Sequence, residues 1–322
     1  MTPTVGVALI GAGPWGLTLG RAAARLPNVD LRWICDLDEK RRTGAATLAP
    51  GSRLTAELDE ALGDPRVKAV LVAVDSPRHH LVGRRVLEAN RHALIEKPMA
   101  MTAADARELS RLAAARRRLL SVGHLLLHHP AVRRARQLLA QGVLGQPLWL
   151  ESTRLASGPA RSPGGAWWTL APHDVSLALH FFGATPDRVT ALSRAAGDEV
   201  DTVVWATLHF PDGTLAHIHV GRRAPEKRRG FQVVGSERAL SFDELIGNGE
   251  LRLHDPARPD GQAQILALEH DDPLSAQCRE FMAGVARGAV EAGNAAHALA
   301  VVRVLEAGAQ SIRQGGAPVD VA

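Results

Sequence analysis

Val5–Gly16 reads VGVALIGAGPWG, and the meaning of this stretch decides how the rest of the chain is read. Val5–Ile10 carries no polar side chain, which predicts a strand buried on both faces. Gly11, Gly13 and Gly16 then satisfy G-x-G-x-x-G, and Trp15–Leu26, rich in Ala, Leu and Arg, predicts a helix. Glycine spacing alone marks only a turn. Set between a buried strand and a helix, it marks a cradle for the pyrophosphate of a dinucleotide. Gly11 allows the tight turn, Gly13 lets a phosphate approach the backbone, and Gly16 lets helix and strand close up. Pro14 and Trp15 complete the loop. The helix start offers free N–H groups and about half a positive charge.

The same alternation continues outward. Val29–Cys35 predicts a second strand, and Asp36 ends it 20 residues beyond Gly16. A carboxylate there accepts both hydroxyls of an adenosine ribose and repels a 2′-phosphate, which favours NAD over NADP. Arg41 and Arg42 soften that preference. Val67–Val74 predicts a strand ending at Asp75-Ser76-Pro77, with a helix following to about Asn90. His92–Glu96 is a further strand, and Thr102, with Asp105 three residues on, opens a helix to about Arg118. This pattern predicts a doubly wound parallel sheet covered on both faces, over residues 1–120.

After residue 120 the pattern changes. Leu119–Leu126 is strand-like, Ala131–Gln141 reads as a helix, Leu148–Leu155 as a strand and Pro172–Phe182 as a helix. Val189–Ser193, Val203–Phe210, Thr214–Val220, Phe231–Val234 and Ala239–Phe242 are strand-like, with a Pro211-Asp212-Gly213 turn between two of them. Helices return at Ser275–Arg287 and Ala295–Arg313. Residues 121–322 are therefore expected to form an α+β domain on a largely antiparallel sheet.

Composition removes several function classes. The 322 residues contain no tyrosine, which excludes a Tyr-x-x-x-Lys acid/base pair. Two cysteines, Cys35 and Cys278, exclude a zinc dehydrogenase site and a disulfide framework. His217 and His219 share one strand face, but no spacing completes a metal-ligand set. The formal charge of +4 is nearly all arginine, and the Arg116–Arg118 run reads as a solvated helix end, so no nucleic-acid partner is expected. No apolar run approaches the ~18–20 residues of a membrane helix, and a cytoplasmic protein is expected.

One of only four lysines, Lys97, closes the apolar strand before Pro98. Carboxyl ends of parallel strands form the ligand crevice of such a sheet. A lysine beside an oxidised nicotinamide has its proton affinity lowered toward neutrality, where it can exchange a proton.

Gly11–Gly16 taken with Glu96-Lys97-Pro98 resembles the glucose–fructose oxidoreductase / inositol dehydrogenase (Gfo/Idh/MocA) family, over most of the chain. Ser76-Pro77 with His80, Val122-Gly123-His124, Gly142 to Gly145, and Leu170-Ala171-Pro172-His173-Asp174 leading to Gly183 extend the resemblance. Arg154 and Arg161–Ser162 make the later stretch resemble the branch that acts on nucleotide-activated sugars. The resemblance implies hydride transfer between a nicotinamide and a carbinol carbon of a sugar, sugar nucleotide or polyol. It implies His173 and Lys97 as the proton-handling pair, and Ser76, Pro77, His80 and Glu96 as further cofactor contacts. His128, Arg154, Arg161, Trp168 and Asp174 are implied on the substrate side, without a metal, in a homodimer or homotetramer. Pro172 before His173 suggests a helix start, where the helix dipole favours the neutral imidazole. Thr169 stands four residues before His173, where many relatives carry an aspartate. That departure keeps open a catalytically weak NAD-binding regulatory protein. A redox-neutral glycosidase or epimerase that retains its NAD is a further alternative.

Overall fold

The computed structural model describes residues 4–157, 165–196, 201–247, 249–257, 261–290 and 293–322. The chain divides into two compact units, Met1–Leu125 with Asp272–Val302, and Leu126–Asp271 with Arg303–Ala322.

In the first unit β1 (Val5–Ile10), α1 (Pro14–Ala24), β2 (Val29–Cys35), α2 (Glu39–Ala45), β3 (Arg53–Thr55) and α3 (Leu58–Gly63) follow one another. Then come β4 (Val67–Val72), α4 (His79–Glu88), β5 (His92–Ile95), α5 (Ala103–Arg116) and β6 (Leu120–Val122). The six strands are parallel, in the order β3-β2-β1-β4-β5-β6. All six residues of β1 are buried, as its unbroken apolar sequence predicts. Val5, Val7 and Leu9 join a core with Leu19 of α1, while Ala8 and Ile10 join a second core with Val86 of α4 and Leu109 of α5. Each such Val, Leu or Ile side chain removed from water contributes about 1.5–3 kcal/mol. The strand order reverses between β1 and β4, and ligands of such sheets bind outside the carboxyl ends at that switch point.

Several boundaries differ from the sequence reading, two of them at strand ends of this sheet. β4 stops at Val72, and β6 stops at Val122, with Leu125–His128 forming a 3-10 turn in place of a longer strand. The first unit also reclaims Asp272–Val302, which the sequence pattern assigns to the domain after residue 120. The physical reason is apolar burial: Leu274, Cys278, Phe281 and Met282 belong to the core that Val7 and Leu9 build. Asn294 completes this return by accepting from Val122 N (2.7 Å) and donating to its carbonyl (3.0 Å), pairing an edge strand with a side-chain amide.

The second unit contains α6 (Pro130–Ala140), β7 (Pro147–Leu155), α7 (Gly165–Phe182), β8 (Arg188–Arg194), β9 (Val203–His209), β10 (Leu215–Gly221) and β11 (Arg228–Gly235). β12 (Ala239–Asp243), β13 (Glu250–His254) and β14 (Gln264–Ile265) follow. α8 (Pro273–Arg287) belongs to the first unit, α9 (Ala295–Arg313) is divided between the two, and β15 (Val319–Asp320) closes the chain. The nine strands run β14-β13-β12-β11-β7-β10-β9-β8-β15, antiparallel except for the β7–β10 pair. Alternation decides the faces. Leu150, Ser152 and Arg154 of β7 and Ala216, Ile218 and Val220 of β10 are buried, and α7 packs on these two strands.

α7 corrects the expected helix start at Pro172. It begins at Gly165 and carries Pro172 in its interior. Proline there removes one backbone donor and costs about 3 kcal/mol. Trp167 offsets that cost: it is fully buried, and its indole N–H donates to Leu305 O (2.8 Å). Gly308 makes room for it, since a Cβ there would lie 2.2 Å from the Trp167 ring. Among the described residues no helix is long and apolar enough to cross a membrane.

Candidate active site

The glycine loop is built as its spacing requires. Gly11 has φ +94°, and a Cβ on it would meet Ala73 O at 2.5 Å. A Cβ on Gly16 would lie 1.9 Å from Gly11 O, so helix and loop touch backbone to backbone. Gly13 differs: the nearest atom to its imagined Cβ is Arg41 Nη1 at 3.9 Å. It caps α1 with no side-chain hydrogen bond and no acidic residue in the first turn, so the helix N–H groups face outward uncompeted. A cradle that only a missing Cβ keeps open, beside free amides, fits a dinucleotide pyrophosphate.

Asp36 stands at the end of β2, its carboxylate accepting from Ala12 N (2.7 Å) and Asp38 N (2.9 Å). Each oxygen retains a lone pair for a ribose hydroxyl. Arg42 is committed elsewhere, donating to the carbonyls of Asp36 (2.7 Å) and Leu37 (3.0 Å).

At the end of β5, Glu96 is buried and Lys97 half-buried. Burial pushes the Glu96 carboxyl up, against a hydrogen bond from Trp15 and the charge of Lys97. Lys97 N donates to Glu96 Oε2 (3.2 Å). Gly123 is explained by this carboxyl, because a Cβ there would lie 2.9 Å from Glu96 Oε1.

Ser76 and Pro77 form a 3-10 turn beyond β4. His80 turns to α5, with Nε2 2.9 Å from Glu108 Oε2 and Nδ1 3.6 Å from Asp105 Oδ1. These three make the one His/carboxylate trio of metal-ligand spacing among the described residues, half-buried to exposed. The ring that faces the strand ends is His79, one residue earlier and 1% exposed. Its Nδ1 lies 2.6 Å from Pro98 O and its Nε2 3.0 Å from Val74 O. It is the first residue of α4, one turn before Gly83, whose Cβ would strike Ile95 Cδ1 at 2.6 Å, and no local sequence signal separates it from His80.

In the second unit His173 lies eight residues beyond Gly165, outside the first turn in which the helix dipole acts, so the dipole does not favour its neutral form. Thr169, one turn before it, donates to Gly165 O (2.5 Å) and accepts from Arg222 Nη2 (3.0 Å). Asp174 is fully buried. It accepts from Ser152 Oγ (2.6 Å), Arg154 Nε (3.0 Å) and Arg154 Nη2 (3.3 Å). Arg154 Nη1 reaches Glu244 (3.4 Å), which Arg229 also holds (2.9 Å). Burial alone would raise the Glu244 pKa; the two guanidinium groups outweigh it and hold the carboxyl below its ordinary value. Arg154 and Asp174 thus spend their charge on one another.

His128 is half-buried beside Arg133 (3.4 Å), while buried His129 caps α6 by accepting from Ala131 N (3.1 Å). Trp168 is half-buried, and Arg161 lies outside the described residues. His217 meets Thr207 Oγ1 (3.2 Å), and His219 stacks on Trp205 at 5.3 Å.

Comparison with known proteins agrees with this architecture. Residues 5–124 match the "Oxidoreductase family, NAD-binding Rossmann fold" and residues 132–241 the "GFO/IDH/MocA C-terminal domain". The chain is 31% identical to the UDP-N-acetylglucosamine 3-dehydrogenase of Acidithiobacillus ferrooxidans, over 68% of this chain and 71% of that one. It is 27% identical to inositol 2-dehydrogenase 2 of Saccharopolyspora erythraea, over 99% and 96%. Among solved structures, GenD2 from gentamicin A biosynthesis in complex with NAD is 28% identical, with TM-score 0.87, covering 100% of this chain and 97% of that one.

Proposed function

The chain belongs to the GFO/IDH/MocA family of NAD-binding oxidoreductases, and from that premise we propose a dehydrogenase of sugars, sugar nucleotides or polyols in which Lys97 and His173 handle the proton. The observation that carries the reading is the shared placement of three features at carboxyl ends of one parallel sheet: the open Gly13 cradle after β1, Asp36 after β2 and Lys97 after β5. A bound NAD would supply the hydride acceptor for the carbinol carbon, and the residues of this chain would hold it and move the proton. The hydroxyl proton leaves at the same time, to His173 or Lys97, and returns in the reverse direction. The loop amides hold the pyrophosphate, and Asp36 takes the adenosine ribose hydroxyls, which selects NAD over NADP. Ser76, Pro77 and Glu96 line the cofactor side in this reading, and His128 and Trp168 the sugar side.

Arg154 and Asp174 serve substrate indirectly here, by fixing α7 on β7 rather than by offering a free charge. The open sheet face supports a homodimer or homotetramer, since Trp149, Leu192, Trp205 and Leu215 are 38–55% exposed on it.

Lys97→Ala is expected to lower turnover about 10²–10⁴-fold while NAD affinity stays within a few-fold. The assay is nicotinamide absorbance over a sugar and nucleotide-sugar panel, run with NAD and NADP side by side. Unchanged turnover removes Lys97 from the chemistry. Thr169 supports one other reading, a regulatory protein that binds NAD, because its hydroxyl is engaged with Gly165 O and Arg222 and is no base at neutral pH. Tight NAD binding with no turnover across the panel, and indifference to His173→Ala, would favour it.

A further inference from the structure

We infer that His79 is a positioning residue for Lys97, fixing the turn Glu96–Pro98 by hydrogen-bonding the Pro98 carbonyl from the start of α4. The inference rests on Lys97 being the proton-handling group of the reading above. His79 has no business being buried on sequence grounds: it opens a helix, beside an exposed neighbour Arg78, and follows a turn. Yet its ring is 1% exposed and aimed at two backbone carbonyls, Pro98 O at 2.6 Å and Val74 O at 3.0 Å. These carbonyls belong to the segments leaving β5 and β4, two of the strand ends that the candidate site uses.

A neutral imidazole has one N–H and satisfies one carbonyl. The shorter contact assigns that proton to Nδ1 and the bond to Pro98 O. Charged groups facing the ring are Lys97 and Asp75, from the ends of β5 and β4. Burial, followed by the charge of Lys97, favours the neutral ring over the attraction of the carbonyls and Asp75. Lys97 is then bracketed. Its own N–H is taken by Glu96 Oε2 at 3.2 Å, and the carbonyl of the next residue is taken by His79. Gly83 lets α4 lie close against Ile95 and Leu109, where a Cβ would strike Ile95 Cδ1 at 2.6 Å, and that close packing brings His79 within reach of the Pro98 carbonyl.

The test uses the intact chain. In wild-type protein, nitrogen-15 imidazole spectra are expected to show Nδ1 of His79 protonated and Nε2 bare; the opposite tautomer overturns the assignment. His79→Leu is expected to lower kcat at least tenfold, to leave the KM for NAD within about threefold, and to move the Lys97 limb of the pH–rate profile by more than half a unit. His79→Asn, which keeps a donor near Nδ1, should restore most of kcat and the original limb. A folded His79→Leu protein with unchanged kcat and pH profile sinks the inference, as does an Asn variant no better than Leu. Lys97→Ala separates the two readings. If it is inert while His79→Leu behaves as wild type, only the positioning role fails; if it turns over normally, the parent reading fails first.

Discussion

The carboxyl edge of the parallel sheet and the middle of α7 place their candidate groups by different means. At the sheet edge, position follows from backbone: Gly11, Gly16 and Gly123 are where no Cβ fits, and Asp36 and Lys97 simply end strands. In α7, position follows from side-chain pairing. Asp174 is held by Ser152 and Arg154, Arg154 by Glu244, and Trp167 by Leu305, and these bonds fix which face of the helix carries His173. Backbone exclusions can be read as short motifs, whereas pairings between residues 20 or 90 positions apart leave no local trace.

The largest expected effect tests the second mode. Asp174→Ala leaves the buried Arg154 guanidinium with Glu244 as its remaining carboxylate and should cost about 3 kcal/mol, whereas replacing Arg154 and Asp174 together by apolar residues of similar volume should cost far less. Chemical denaturation of the full chain measures both; equal losses would mean that the pair does not hold α7.

The first mode is sharpened by two alanines at glycines with opposite surroundings. Gly123→Ala pushes a methyl against the Glu96 carboxyl and should cost about 1–3 kcal/mol. Gly13→Ala meets nothing nearer than 3.9 Å, so stability should hold while NAD affinity falls. Calorimetric titration with NAD, beside a melting curve, reads both; NAD affinity unchanged in Gly13→Ala would move the phosphate cradle elsewhere.

The smallest effect concerns acid. Burial holds His297 down to about 4 from 6.5, and His92 likewise to about 4, with Arg118 assisting at His92. Between those values the unfolded chain binds protons that the folded chain refuses, so stability is full above about pH 6.5 and falls toward pH 4. His297→Gln should flatten that loss by a few degrees in Tm; an unaltered slope would assign the acid sensitivity to other groups.

Lys97 and His80 show how far local reading reaches. Lys97 was legible because a rare residue type ends an apolar strand. His79 and His80 both follow the Ser76-Pro77 turn, and only the roll of α4 decides which ring points inward. The course of the helix that carries His173 was not legible, since Pro172 conventionally marks a start and the burial that carries α7 through it comes from α9.

The amino-acid order by itself determined the parallel sheet, the Gly11–Gly16 turn, the carboxylate that follows β2 and the lysine that follows β5, because each depends on contacts within a turn or a strand. Tertiary structure alone decided that Asp272–Val302 returns to the first unit, that Arg154 and Asp174 neutralise one another, and that His79 faces Pro98. Those outcomes come from burial, which sums over partners distant along the chain and is settled only when all of them are in place.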